Sequence, residues 1–399
     1  MKDILILGGG FAGVWSAASA IRLARNVGAD RREIRVRMIS AGDDLIIRPR
    51  LYEPQPDNMR VPLDRLLGPI GVNRINASVT AIDVNTRTVT ARDFDGSRIT
   101  ANYDRLVLTS GSQLVRPALP GTQHIFDIDT IDAAIALDAH LAGLPRHTDS
   151  AGRYTAVVVG AGFTGLELAT ELATRLRDIA GHSADVRIVL VERAEVCGPE
   201  LGDAPRSYIE EALDNLQIER RLGRTVVAAT ADTVTLSDGE IIPTATVVWT
   251  AGMAASPLTS HVALNRDPLG RVYVDRYMRV ADLPTVYAAG DTAHATGDDG
   301  RPTVQSCQHA QQMGKCAGHN AAADLLDQPM LTFAADPYST CVDLGTAGAI
   351  TTSGCQRVVT SAGRAAKATK QEINTQLIYP PTDSAEDLLA KAAHFSNSA

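Results

Sequence analysis

The stretch that decides the fold is DILILGGGFAG, Asp3 to Gly13. It joins an apolar run, Ile4 to Leu7, to glycines at positions 8, 10 and 13, and a mostly apolar segment from Val14 to Leu23 follows. This order predicts a buried parallel strand, a tight turn and a helix whose N-terminus faces the turn. The free N–H groups and the dipole of that helix end favour phosphate. The stretch therefore indicates a dinucleotide-binding turn, or else a glycine-rich connection that binds nothing.

The same pattern returns at Tyr154 as YTAVVVGAGFTGLELATEL. The glycines of the second copy lie 152 positions after those of the first: Gly8, Gly10, Gly13, Gly160, Gly162 and Gly165. A later strand segment also repeats, as LVLTSG ending at Gly111 and VVWTAG ending at Gly252. Because whole modules repeat and not the turn alone, we interpret both copies as dinucleotide-binding modules.

Length and composition indicate a large α/β protein. The chain has 399 residues, of which 45% are hydrophobic and only 4% aromatic. A chain of this length divides into roughly two or three domains. Alternating segments at Val79–Asp83, Thr88–Ala91 and Ile99–Ala101 predict an antiparallel β insert after the first module, and Asp43–Tyr52 is interpreted as a loop. A helix-like run is predicted over Thr303–Leu326.

Charge and cysteine content exclude some classes of function and favour a compartment. The net charge is −8 and no dense basic run interleaves with aromatic residues, so nucleic acid is not an expected partner. The five cysteines form no CxxC pair, which favours a reducing compartment, and no metal site is predicted. No apolar run approaches the length of a membrane-spanning helix, so we expect cytoplasmic residence with at most peripheral contact at the inner face of the membrane. One basic group near the C-terminus either touches anionic lipid or, as we favour, is a solvated helix face: Arg357, Arg364, Lys367 and Lys370.

The end of the second strand distinguishes the two modules. An acidic residue there binds the ribose hydroxyls of the adenosine half, and the second copy has Glu192 after VRIVLV. Glu192 favours NADH because its charge would repel the 2′-phosphate of NADPH, although Arg193 beside it keeps NADPH open. The same offset in the first copy falls on Ser40, which lacks a charge-assisted bond that contributes about 1.5–3 kcal/mol. Dinucleotide binding by the first copy is therefore expected to be weaker, or to be rescued by a group such as Arg48.

Two modules followed by a late strand and Gly290-Asp291 resemble the two-dinucleotide-binding-domain flavoproteins. No cysteine precedes Cys197, which excludes the disulfide reductases of that superfamily. The chain is most similar to type II NADH:quinone oxidoreductases, over roughly the first 330 residues. IIRPRLYE, Ile46–Glu53, resembles the Pro-containing flavin loop of that family, and SCQHAQQMG, Ser306–Gly314, resembles its AQxAxQ quinone motif.

The resemblance implies two Rossmann-like domains in a glutathione-reductase-like arrangement plus a small C-terminal domain. An FAD-binding domain is expected at 1–117 and 251–330, an NAD(P)H-binding domain at 118–250, and the C-terminal domain, for an interface or weak membrane contact, at 331–399. Expected FAD contacts are Gly8, Gly10, Phe11, Ala12, Gly13, Ser40, Arg48, Pro49, Val79, Ser110, Gly111, Gly290, Asp291 and Gln308. Expected NAD(P)H contacts are Gly160, Gly162, Phe163, Thr164, Gly165, Glu167, Glu192, Arg193, Ala251 and Gly252.

The resemblance also implies a reaction: hydride passes from NADH to FAD, and two electrons then pass to a quinone. Gln308 and Gln312 lie four residues apart, so on a helix they share a face and their amides can hydrogen-bond a quinone carbonyl. Cys307 is either redox-active or an inert buried thiol, and His309 either delivers a proton or is structural. Glu167 either positions the nicotinamide and relays protons or is a first-turn carboxylate that stabilises the helix dipole.

The sequence leaves alternatives for the role of Asp291 and for the identity of the electron acceptor. Asp291 either contacts the ribityl or pyrophosphate part of FAD, which we favour, or caps the next helix. The acceptor is a quinone, a protein such as a ferredoxin, or a sulfur species that uses Cys307 or Cys341. A different class is a flavoprotein that senses NADH without turnover. The C-terminal domain is a candidate surface for a homodimer.

Overall fold

The computed structural model describes residues 1–30, 32–147, 150–181, 185–297 and 300–393. Within these residues the α-helices are α1 (Phe11–Asn26), α2 (Leu63–Ile70), α3 (Ile131–Gly143), α4 (Phe163–Ala180), α5 (Arg206–Asn215), α6 (Cys307–Leu325), α7 (Gly363–Glu372) and α8 (Ala385–Lys391). The first strands are β1 (Lys2–Leu7), β2 (Ile34–Ser40), β3 (Asp44–Ile46), β4 (Arg60–Pro62), β5 (Asn73–Asn76), β6 (Ser78–Asp83), β7 (Thr88–Arg92), β8 (Arg98–Asn102), β9 (Arg105–Leu108), β10 (Ser112–Leu114) and β11 (Ile125–Phe126). The later strands are β12 (Thr155–Val159), β13 (Arg187–Glu192), β14 (Glu219–Leu222), β15 (Val226–Ala229), β16 (Thr233–Leu236), β17 (Ile241–Pro243), β18 (Thr246–Trp249), β19 (Met253–Ala255), β20 (Val272–Tyr273), β21 (Val286–Ala288), β22 (Ala293–His294), β23 (Ser339–Asp343), β24 (Ala349–Ser353) and β25 (Val358–Ala362).

The opening strand lies at the centre of a five-stranded parallel sheet in the order β21-β9-β1-β2-β5. Its apolar run, Ile4 to Leu7, is fully buried, as expected for a parallel strand covered on both faces. The late strand β21 pairs with β9, so the chain returns to this sheet after the second module. Both α1 and α6 contact the sheet and each other, and they cover it where the glycine turn ends.

The second module repeats this arrangement in a parallel sheet of order β11-β18-β12-β13-β14. Strands β12, β13 and β18 correspond to β1, β2 and β9, and α4 follows β12 as α1 follows β1. The predicted α/β fold with two Rossmann-like sheets is therefore confirmed. The division into domains at the boundaries given above stays a prediction.

Small antiparallel sheets complete the fold. The predicted β insert is the sheet β6-β7-β8, and β15-β16-β17 is its counterpart within the second module. The segment 43–52, interpreted as a loop, instead contains β3, which pairs with β4, and a 3₁₀ turn at Arg48–Arg50. Near the C-terminus, β23, β24 and β25 form a sheet that α7 covers, and β23 contacts α4 of the second module.

The interpretation of the C-terminal basic residues as a solvated helix face is wrong for Lys370. Lys370 is buried, because α7 turns it towards α4, where it forms an ion pair with Glu167. Lys367 pairs with Asp343, whereas Arg364 is exposed as expected. A hydropathy pattern does not predict a buried ion pair, because charged residues such as Lys and Glu are mostly found on the surface.

Among the residues that the structure describes, no helix has the length and hydrophobicity needed to cross a membrane.

Candidate functional site

The first glycine turn leaves an open space at the N-terminus of α1. Gly8 adopts a φ of +117°, and a β-carbon there would lie 2.3 Å from the carbonyl oxygen of Thr109. Gly10 caps α1 without a side chain, and a β-carbon added to it would meet no atom within 4 Å. Close by, the buried Oγ of Ser110 has no hydrogen-bond partner among the described residues. An open helix N-terminus and an orphaned hydroxyl fit the pyrophosphate and polar groups of a dinucleotide.

A cluster of polar side chains lies where β10 begins. Asp291 accepts a hydrogen bond from Ser112 Oγ at 2.5 Å and lies 3.9 Å from Arg48 Nη1. Arg48 also pairs with Asp129. The alternative that Asp291 caps the next helix is wrong, because α6 is capped by Ser306, whose side chain accepts from the backbone of its first turn.

The ends of β2 and β13 differ as the sequence predicts. Glu192 is buried, and its carboxylate accepts hydrogen bonds from Ala161 N at 2.7 Å and Ala194 N at 2.9 Å. Gly9 corresponds to Ala161, and a β-carbon on it would lie 2.5 Å from Ser40 Oγ. Ser40 therefore occupies the place of Glu192 in the first module but brings no charge to it.

Ser40→Glu is expected to lower the dissociation constant of FAD about tenfold, because a carboxylate there can accept both from the Gly9 amide and from a ribose hydroxyl. Titration of FAD into apoprotein, followed by flavin fluorescence, measures the change. Asp43→Asn, a charge change on the exposed loop beyond β2, is the control and should leave the constant unchanged. An unchanged constant in Ser40→Glu would mean that another residue already holds the ribose.

The second glycine turn is closed by a carboxylate. Gly165 lies against Gly160, where a β-carbon would be 1.7 Å from its carbonyl oxygen, so helix and strand pack closely. At Gly162, however, the β-carbon position lies 2.4 Å from Glu200 Oε1, and the same oxygen accepts from Phe163 N at 3.1 Å. The N-terminus of α4 thus already carries an anion, in contrast to that of α1.

Glu167 lies deeper in the same helix than the sequence suggested. Since α4 begins at Phe163, Glu167 is beyond the first turn, and the dipole-stabilising interpretation is wrong. Its Oε1 lies 2.7 Å from Lys370 Nζ and accepts from Asp343 N at 3.0 Å. Burial raises the pKa of Glu167 although the charge of Lys370 opposes the shift. For Lys370, burial alone would lower the pKa, but Glu167 raises it above the ordinary value.

A hydrogen-bond network connects this ion pair to the predicted flavin loop. Tyr52 donates to Asp343 Oδ2 at 3.0 Å, and Asn374 Nδ2 donates to Tyr52 Oη at 3.2 Å and to Glu53 Oε1 at 2.7 Å. Burial raises the pKa of Tyr52, so its hydroxyl stays protonated. The loop, α4 and the C-terminal sheet therefore meet in one buried polar cluster.

The start of α6 carries the other predicted catalytic residues. His309 is buried, and its ring stacks on Tyr338 with the centroids 4.9 Å apart. Its Nδ1 lies 3.0 Å from the backbone of Val304, which favours the structural role. Burial raises the pKa of the Cys307 thiol to about 11, so it stays protonated near neutral pH, as an inert thiol does.

Gln308 and Gln312 lie one turn apart on α6, Gln308 partly exposed and Gln312 buried. Gln312 Nε2 donates to Asp336 Oδ2 at 2.9 Å. Its Oε1 is buried without a hydrogen-bond partner among the described residues, which costs about 1–3 kcal/mol unless a ligand donates to it. This amide oxygen is an orphaned acceptor within the predicted quinone motif.

The remaining predicted contacts are distributed over several elements. Gly111 and Gly252 both have positive φ, +69° and +83°, at the turns after β9 and β18. Phe11 and Ala12 begin α1, and Phe163 and Thr164 begin α4, while Arg193 is exposed after β13. The other placements are Pro49 in the 3₁₀ turn of the flavin loop, Val79 in β6, Gly290 in the turn after β21, and Ala251 beside the Gly160 turn.

Sequence reasoning missed the residues that the C-terminal segment, 331–399, contributes. Lys370, Asp343, Tyr338 and Asp336 reach the site from beyond the motifs. Their partners lie far away in the sequence, so no local pattern marks them. The one signal in the sequence is a carboxylate on an apolar helix face, such as Glu167, because a buried charge requires a partner of opposite charge.

Comparison with known proteins places the chain in a described family. The family described as pyridine nucleotide-disulphide oxidoreductase matches residues 2–314. A Mycobacterium tuberculosis strain CDC 1551 protein named NADH dehydrogenase-like is 45% identical over 98% of both chains. A Synechocystis protein named demethylphylloquinone reductase is 30% identical over 87% of this chain and 85% of its own. A Plasmodium falciparum NDH2 structure in complex with NADH has a TM-score of 0.77, with 13% identity over 98% of this chain and 97% of that one, which shows a shared fold.

Proposed function

The chain belongs to the pyridine nucleotide-disulphide oxidoreductase family and is an enzyme that binds FAD and NADH, and from this premise we propose that it passes electrons from NADH to a quinone. The observation that carries the choice of acceptor is the glutamine pair on α6: an amide nitrogen there would donate to a quinone carbonyl, and the orphaned Oε1 of Gln312 would accept from the hydroquinone hydroxyl. The names of relatives support it, since one is a demethylphylloquinone reductase and others are type II NADH:quinone oxidoreductases.

The first module would hold FAD through groups already in place. The open N-terminus of α1 would receive the pyrophosphate, and the Ser110 hydroxyl and Asp291 would bond polar groups further along the cofactor. When bound there, FAD supplies the hydride-accepting and electron-transferring chemistry. The chain's own part is binding, orientation and proton supply.

The second module would hold NADH. Glu192 would accept from the ribose hydroxyls while its backbone bonds keep the carboxylate oriented. A 2′-phosphate would meet this buried negative charge, so NADH is preferred over NADPH.

Protons and the quinone would be handled where α4, α6 and the C-terminal sheet meet. A quinone gains two protons on reduction, and Glu167, whose pKa burial raises, would relay protons in the buried cluster while Lys370 Nζ, 2.7 Å from its Oε1, holds it in place. Gln308 and Gln312 have amides that donate to a quinone carbonyl and accept from a hydroquinone hydroxyl. The amide nitrogen of Gln312 donates to Asp336, which orients the side chain. Its Oε1 is then available to accept a hydrogen bond from the hydroquinone hydroxyl.

Anaerobic mixing of the FAD-loaded protein with NADH should bleach the flavin absorbance, and a soluble quinone should restore it. Bleaching with NADPH should be slower at equal concentration. Flavin that stays oxidised with both nucleotides would refute the proposal.

Gln308→Leu is expected to raise the KM for a soluble quinone about tenfold, because one hydrogen bond to the acceptor is lost. Flavin reduction by NADH in the absence of quinone should keep its rate. Gln328→Leu, the same change beyond the other end of α6, is the matched control and should leave both values unchanged. A slower NADH step in Gln308→Leu would instead place that residue at the nicotinamide.

The sulfur alternative receives no support from the cysteines. Burial raises the pKa of both Cys307 and Cys341 to about 11, which disfavours a reactive thiolate. Sulfide-dependent flavin reduction that disappears in Cys307→Ser would nevertheless reinstate it.

Lipid-soluble quinones are dissolved in the membrane bilayer, so the same proposal implies a peripheral contact of the enzyme with the membrane surface. Co-sedimentation with anionic vesicles tests it.

A further inference from the structure

The two glycine turns differ in the group that occupies the helix N-terminus. At the N-terminus of α1 the space beside Gly10 is open, and no acidic residue lies in the first turn. At the N-terminus of α4 the first turn is equally free of acidic residues, yet Glu200 reaches in from the loop after β13 and occupies the corresponding space beside Gly162. The first module therefore serves as an internal control, because the same turn folds without such a carboxylate.

Glu200 occupies the position that a phosphate takes in such a module. Its Oε1 accepts from Phe163 N at 3.1 Å and lies 2.4 Å from where a β-carbon on Gly162 would be. The second glycine of the fingerprint lacks a side chain so that a pyrophosphate can approach the backbone there. A negative oxygen at this point satisfies the same helix end that a nucleotide phosphate would satisfy.

The loop fixes the backbone of Glu200 but leaves its side chain free to move. Leu201, next in the chain, is fully buried, and Cys197 is buried as well, so the 3₁₀ turn Pro199–Leu201 is anchored on both sides. Glu200 itself is exposed. Removal of its carboxylate from the helix end therefore requires only a rotation about side-chain bonds and no movement of the loop.

We propose that Glu200 is a tethered substitute for the pyrophosphate of NADH, which occupies the N-terminus of α4 in the free enzyme and is displaced when the nucleotide binds. Part of the binding free energy of the nucleotide then goes into breaking the Glu200 contact. The carboxylate lowers the affinity of this site for the exchangeable nucleotide, whereas the flavin site has no such competitor. The inference rests on the nucleotide-binding half of the proposed function and is independent of the acceptor.

Glu200→Gln is expected to lower the dissociation constant of ADP-ribose about two- to fivefold, the range typical of one carboxylate at a helix N-terminus. Calorimetric titration of the FAD-loaded enzyme measures it, and ADP-ribose is chosen because it carries the pyrophosphate but undergoes no redox step. Adenosine, which has no phosphate, should bind wild type and variant equally.

Glu195→Gln is the matched control, because this glutamate lies in the same loop but its Oε1 is directed at Gly223, 2.4 Å from the β-carbon position there. It should leave the ADP-ribose constant unchanged. Equal ADP-ribose constants for wild type and Glu200→Gln, or an equal gain in Glu195→Gln, would overturn the inference. If ADP-ribose bound to none of the three proteins, the proposed nucleotide site itself would be refuted. Failure of the quinone assay would refute only the proposed acceptor, because these dissociation constants do not depend on it.

Discussion

Lys370→Met is expected to lower the free energy of unfolding by about 3–5 kcal/mol, the cost of leaving one partner of a buried ion pair without the other. Lys370 is 6% exposed, and its Nζ lies 2.7 Å from Glu167 Oε1 and 3.2 Å from the carbonyl oxygen of Cys341. The methionine would keep the apolar stem of the side chain, so the loss reports mainly on the charge. Chemical denaturation of the FAD-loaded protein measures the change.

Two variants separate the ion pair from other effects of the substitution. In Lys370→Met with Glu167→Gln, the buried carboxylate is neutral as well, and most of the lost stability should return. Arg364→Met removes a positive charge from an exposed position of the same helix and should change stability by no more than about 0.5 kcal/mol. Equal losses in Lys370→Met and Arg364→Met would mean that the net charge of α7, and not the pair, sets the stability.

The elements that the sequence predicts well are those that depend on neighbouring residues. Both glycine turns, the strands before them and the β insert follow from local patterns, so the apolar run Ile4–Leu7 and the segment Val14–Leu23 fall inside β1 and α1, and each glycine pattern lies between a strand and a helix. The start of α6 was placed four residues early, at Thr303, although Ser306 is the residue whose side chain caps the helix. Serine is a preferred N-cap residue, so Ser306 is the sequence signal that marks this boundary.

The parts that could not be predicted depend on contacts between distant segments. Glu167 and Lys370 are each ordinary helix residues in sequence, and only the packing of the C-terminal sheet against α4 brings them together. The same holds for Glu200, which lies in an exposed turn with no motif around it. Local patterns thus identify the cofactor modules, whereas the groups that tune them come from tertiary structure.

The scaffold beneath these groups depends on the contact between α1 and α6. The single hydroxyl proton of Ser16 is shared between two carbonyl oxygens, Ala12 O at 2.7 Å and Gly314 O at 3.0 Å from Oγ, so the side chain bridges the two helices. A β-carbon on Gly318 would lie 2.0 Å from the carbonyl oxygen of Ser16 and 2.5 Å from its Cα. These neighbours are backbone atoms and cannot rotate away. The helix that carries the glutamine pair is therefore held directly against the helix that begins at the flavin turn.

Gly318→Ala is accordingly expected to destabilise the protein by about 3 kcal/mol and to weaken FAD retention, because α6 must move away from α1 to make room for one methyl group. Thermal unfolding and the FAD content after gel filtration measure the two effects. Gly143→Ala is the matched control: Gly143 ends α3 with a helical φ of −81°, an added β-carbon there meets only His147 Nε2 at 3.9 Å, and the change should alter stability by no more than about 1 kcal/mol. If Gly318→Ala kept both its stability and its flavin, the close contact between the two helices would not be needed to hold the site, and α6 would be free to adjust its position over the cofactor.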